Sequence, residues 1–67
     1  MKRRDLLKIL NEYSCVLKRH GSNHDIYINL TNNKIAPVPR HNEIKESTSR
    51  MIFKQLGIEI NTPFNQN

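Results

Sequence analysis

His24 follows the turn-forming run Gly21-Ser22-Asn23 and opens a stretch of β-branched and aromatic residues, Ile26-Tyr27-Ile28. Gly tolerates positive φ, and Ser and Asn bond to neighbouring backbone, so residues 21–23 read as a turn and His24 as the first residue of a strand. Acid–base catalysis needs that placement: a rigid strand to hold the imidazole and an open turn to admit substrate. The competing reading is a histidine that only closes the edge of a sheet. His20 adjoins Lys18 and Arg19 and reads as a surface residue on a basic edge. His41 follows Pro39-Arg40 in a connector, where a turn or capping role competes evenly with function.

Other chemistries lack their residues. His20, His24 and His41 do not share the spacing of ligands on one helix face. The single cysteine, Cys15, builds neither a thiolate zinc site nor an internal disulfide. No metal and no cofactor is expected. Gly21 and Gly57 are the only glycines, too few for a phosphate-cradling loop, and Ser47 and Ser49 have no histidine or acid placed to activate them. They read as helix-start residues.

The elements that must position His24 follow from periodicity. Leu6, Ile9, Leu10 and Tyr13 recur at helical spacing, which predicts a helix from about Arg3 to Tyr13 with Asp5 in its first turn. Cys15 to His20 and His24 to Leu30 read as strands, the second with Ile26 and Ile28 on the core face and Asp25, Tyr27 and Asn29 on the other. By the same parity His24 falls at the rim of the core face. Thr31-Asn32-Asn33 closes a hairpin into a third strand, Lys34 to Val38, whose Pro37 predicts an edge or a bulge. A second helix runs from about Glu46 to Leu56, with Ile52 and Leu56 at the centre of its core face and Phe53 and Met51 beside them. Gly57 stops it in the left-handed cap position. Pattern fades from Ile58 onward, so the domain is drawn over residues 1–58 with 59–67 as a loose tail. The order α-β-β-β-α predicts an α+β fold of the double-stranded-RNA-binding type: a three-stranded antiparallel sheet with both helices on one face.

With 67 residues, 36% of them hydrophobic, the chain has room for one small core. Stability is expected to be thin and to gain from a partner. Eleven Lys and Arg against six Asp and Glu leave a net charge of +5, which favours a polyanionic or acidic partner. Lys18, Arg19, Arg40, Lys45, Arg50 and Lys54 could form a basic surface around the sheet edge, and with the net charge they make nucleic acid the favoured ligand. The unpaired cysteine points to a reducing compartment, the cytoplasm, and no run approaches the ~20 apolar residues of a membrane span. Neither a membrane nor a small-molecule ligand is expected.

Two stretches resemble a known family. Gly21-Ser22-Asn23-His24-Asp25-Ile26-Tyr27 is similar to the Gly-Ser-x-His-x-(aliphatic or aromatic)-Tyr segment of the HicA toxins, the mRNA interferases of HicA–HicB toxin–antitoxin pairs. Val38-Pro39-Arg40-His41, then Glu43-Ile44-Lys45 and Thr48 through Ile58, looks like that family's third strand and second helix. The amphipathic start with Leu6, Leu7 and Leu10 matches its first helix, so the resemblance covers about residues 3 to 58. It implies a cytoplasmic endoribonuclease that cleaves mRNA and is inhibited by a tightly bound HicB-type antitoxin. The family's catalytic histidine carries over onto His24. Lys18, Arg19, Ser22, Asn23, Arg40 and Lys45 are the expected RNA contacts. The chain departs from the family where many members have Lys before the glycine and His third in the motif; here those positions are His20 and Asn23. Ser47 stands where a glycine is frequent.

The implied chemistry uses the RNA's own 2′-hydroxyl as nucleophile. It needs a base at that hydroxyl, an acid at the departing 5′-oxygen and positive charge near the phosphorane. The expected products are a 2′,3′-cyclic phosphate and a 5′-hydroxyl. The alternative is a non-catalytic RNA-binding module of the same fold, with Arg50 and Lys54 among its contacts. A DNA-binding regulator is disfavoured because a strand, not a tight turn, precedes the second helix.

Overall fold

A computed structural model describes residues 1–59. Its order is α1 (Arg3–Glu12), β1 (Cys15–His20), β2 (His24–Asn29), β3 (Ile35–Pro39) and α2 (Glu46–Gln55). The strands form one antiparallel sheet in the order β1-β2-β3, which puts β3 and its prolines at an edge, where a missing N–H breaks no ladder. The fold class is the α+β arrangement that the patterning predicts.

α1 packs through Leu6 and Leu10, both fully buried and one helical turn apart. Ile9 and Leu7 lie half-buried against the core, and Tyr13 is exposed. Ser14, with φ of 64°, reverses the chain into β1. α2 contributes Ile52 and Phe53, and Leu56 is buried just beyond its end. Met51, expected beside the core face, is 54% exposed. The end of α2 is a Schellman turn: Ile58 N–H donates to the Phe53 carbonyl at 2.9 Å and Gly57 N–H to that of Lys54 at 3.1 Å. Gly57 has φ of 71°, as the sequence predicts. Ile58 is only 7% exposed and packs with the core, so the pattern that fades there hides one more core residue. The tail proposed for 59–67 lies outside the described residues beyond Glu59.

The start of the chain is stitched to the connector before α2. The Met1 ammonium donates to the Ile44 carbonyl, Ile44 N–H to the Met1 carbonyl and Arg3 N–H to the Asn42 carbonyl, each at 2.8 Å. Ile44 is thereby buried between the two helices' leading ends.

The face of β2 that meets the helices is the reverse of the expected one. Asp25 and Asn29 are buried and Tyr27 packs against the core, opposite Val38, Cys15 and Ala36 respectively. Ile26 and Ile28 lie half-buried on the bare side, with Val16 and Ile35 beside them at 36% and 46% exposure. The inversion is possible because each polar group turned inward has partners. Asn29 donates from Nδ2 to the Leu56 carbonyl at 2.8 Å, closing the end of α2, and its Oδ1 accepts from the Thr31 N–H and hydroxyl. Asp25 is held by cations, as described below.

Candidate functional site

Successive residues of a strand point to opposite faces, so His24 stands with Ile26 and Ile28 on the bare side, where it is exposed, and not at the rim of the core face. It pairs with Pro39 of β3 across the ladder. The turn before it is closed by Gly21 N–H, which donates to the His24 carbonyl at 2.7 Å. A Cβ on Gly21 would lie 2.8 Å from that carbonyl oxygen, so the approach requires glycine.

Asp25 is the hub behind His24. Its Oδ2 accepts from Arg3 Nη2 at 2.7 Å, and its Oδ1 accepts from Arg40 Nε at 3.0 Å and lies 2.8 Å from His20 Nδ1. The hydrogen bond with His20, followed by the Arg40 guanidinium, lowers the Asp25 carboxyl from an ordinary 3.8 to about 2, so it is ionised throughout the neutral range. Arg3 also donates from Nε to the Pro39 carbonyl at 2.7 Å, tying the first turn of α1 to the strand that faces His24.

Arg40 clamps the turn itself. Beyond Asp25 it donates to the carbonyls of Gly21 at 2.6 Å, Ser22 at 3.1 Å and His24 at 3.3 Å. A planar guanidinium can reach several fixed acceptors at once, which an ammonium on a flexible stem does not match. Arg40, expected among the RNA contacts, therefore spends these donors on the backbone that presents His24.

The other expected contacts divide by place. Ser22 and Asn23 are exposed at the tip of the turn beside His24. β1 bulges between Leu17 and Arg19, leaving Lys18 as the extra residue and pairing Arg19 with Ile26, on the face that carries His24. Lys45 directly precedes α2, in a groove lined also by Pro39, His41, Glu43, Ile44 and Thr48. Lys2, Arg3, Arg4 and Asn42 line a second, basic groove at the start of α1 that sequence reading did not single out.

Sequence reading also missed the hub. The available signal was that Asp25 is the one carboxylate between Glu12 and Glu43, in a stretch rich in cations. Among the described residues, no three His, Cys, Asp or Glu side chains come together as a metal-binding group. Cys15 is buried, and burial raises its thiol above the ordinary value, so it stays protonated. Among the described residues no helix is long and apolar enough to cross a membrane.

A clamped hairpin presenting one imidazole on the bare face of a three-stranded sheet defines a small α+β domain of the double-stranded-RNA-binding type. The chain belongs to the HicA toxin family of bacterial toxin–antitoxin systems, whose family model matches residues 3–58. It is the toxin component of such a pair. Neither the curated proteins nor the solved structures contain a match.

Proposed function

We propose that the chain is a metal-independent endoribonuclease that cleaves mRNA, with His24 as a general acid or base, and that a HicB-type antitoxin inhibits it. The observation that carries this reading is the Arg40–Asp25 clamp, which immobilises the backbone on either side of an exposed imidazole. A residue needed only to close a sheet edge would require no such fixation. Family membership supports the same activity, since these toxins are generally of the ribonuclease type.

In this mechanism the 2′-hydroxyl attacks the adjacent phosphorus and the bond from phosphorus to the 5′-oxygen breaks. His24 exchanges a proton with one of the two oxygens. Arg19 on the same face supplies positive charge to the phosphate, and Ser22 and Asn23 at the turn tip supply hydrogen bonds to the RNA. Lys18 and Lys45 hold flanking phosphates.

The test is His24→Ala. Loss of a general acid or base lowers the rate by about 10²–10⁴, and His24 is exposed, so the melting curve should stay close to wild type. Wild-type cleavage should survive EDTA and stop at a 2′-deoxy substitution at the cut site. A well-folded His24→Ala protein that still cleaves RNA and arrests growth would return the chain to the class of RNA-binding modules.

A further inference from the structure

We propose that His20 is a second catalytic residue: oriented by Asp25, its imidazole takes the proton from the 2′-hydroxyl, and His24 delivers a proton to the departing 5′-oxygen. The inference rests on the ribonuclease reading of the chain.

The geometry is that of a base with its orienting acid. His20 Nδ1 lies 2.8 Å from Asp25 Oδ1. The Asp25 carboxylate has no proton to give, so the shared hydrogen belongs to Nδ1. In the neutral ring that leaves the lone pair on Nε2, the nitrogen turned away from Asp25. The two members differ in exposure as such a pair requires: the Asp25 side chain is 11% accessible and the His20 side chain 70%. Asp25 is in turn immobilised by Arg3 and Arg40, so the ring has a fixed anchor. An ordinary surface histidine lacks such an anchored carboxylate.

The placement of the two imidazoles suits in-line displacement. His20 ends β1 and pairs with Asp25 on the helix side of the sheet; His24 opens β2 on the bare side. They bracket one turn from opposite faces, and the 2.7 Å bond from Gly21 N–H to the His24 carbonyl holds the ends of that turn together. Attacking and leaving oxygens stand on opposite sides of phosphorus. A phosphodiester seated over the turn tip thus meets one imidazole on each side. His20 Nε2 accepts the 2′-hydroxyl proton as the 2′-oxygen bonds to phosphorus. The electron pair of the breaking bond leaves on the 5′-oxygen, which takes the proton of the His24 imidazolium. Asp25 stabilises the His20 imidazolium that results.

The charged groups facing the His20 ring are Asp25 from β2 and, through that carboxylate, Arg3 from α1 and Arg40 from the segment after β3. The Asp25 carboxyl, lowered to about 2, stays ionised across neutral pH.

The experiment compares the 67-residue wild type with His20→Asn, His20→Gln and His24→Ala in single-turnover cleavage of a short RNA between pH 5 and 8. His20→Asn keeps a donor near the Nδ1 position for Asp25 and removes the base, so the turn should remain anchored; melting curves check this. Both His20 variants should lose about 10²-fold or more and flatten the acidic limb of the pH–rate profile. A substrate whose 5′-bridging oxygen is replaced by sulfur needs no proton on its leaving group. It should restore much of the rate to His24→Ala and little to the His20 variants. Folded His20 variants with wild-type rate and profile, or rescued by the sulfur substrate, overturn the base assignment while leaving the ribonuclease reading intact. Wild type that cuts no RNA overturns both.

Discussion

Arg3 Nη2 lies 2.7 Å from Asp25 Oδ2, joining the first turn of α1 to the second strand across 22 residues of sequence. Through this contact the N-terminal helix, the strand start that carries His24 and the β3 end share one charged anchor. Removing any member should therefore be felt at the turn.

The carboxylate sets an acid limit on stability. Asp25 is lowered from 3.8 to about 2, first by the His20 hydrogen bond and then by Arg40. A group whose folded pKa is depressed stabilises the fold above its unfolded pKa and loses that contribution as pH falls through the folded one. The melting temperature should accordingly fall between about pH 4 and pH 2. Asp25→Asn should lower it at neutral pH and flatten its slope in that window. Glu43 is also lowered, by the N-terminal ammonium and then Lys2, so Glu43→Gln should remove a separate part of the slope. An unchanged slope in both variants would contradict the assignment.

Arg40→Lys should separate positioning from charge. Lysine keeps the positive charge but cannot span Asp25 and the carbonyls of Gly21, Ser22 and His24 together. The variant should fold and bind RNA while its cleavage rate falls by about 10-fold or more, because small misplacements of a catalytic group are costly. Equal losses in RNA affinity and in rate would instead make Arg40 a phosphate contact.

The bare sheet face should be the seat of the antitoxin. Val16, Ile26, Ile28 and Ile35 form an apolar surface that carries His24 at one end, and the net charge of +5 favours an acidic partner. Ile28 is half-buried, so Ile28→Glu should cost the toxin some stability while leaving it folded. It should weaken the complex by about 10-fold or more, or ~1.4 kcal/mol, as measured by calorimetry. Full affinity in that variant would place the partner elsewhere.

Gly57 should not accept a side chain. At φ of 71° an L-residue costs about 1–2 kcal/mol, and an added Cβ would stand 2.7 Å from Asn32 Nδ2, which itself donates to the Leu56 carbonyl. Gly57→Ala should lower the melting temperature by roughly 4–8 °C per kcal/mol lost, without changing the products of cleavage. An unshifted melt would show that the end of α2 tolerates another geometry.

Local periodicity determined much of this protein. The spacing of Leu6 and Leu10, the glycine after α2, the turn at residues 21–23 and the prolines of β3 each act over a few residues, so the elements, their order and their antiparallel pairing were legible. The position of His24 at a turn–strand junction was legible for the same reason. Which face of β2 turns inward was not. Alternation reports two faces, and hydrophobicity favoured the isoleucines; the choice of Asp25, Tyr27 and Asn29 depends on Arg3, Arg40 and the Leu56 carbonyl, which reach them only in the folded chain. The pairing of His20 with Asp25 likewise depends on the bulge in β1, which resets the register by one residue before the turn. Long-range charge pairing has no period for a sequence to display, so the tertiary structure alone decided what surrounds the catalytic candidate.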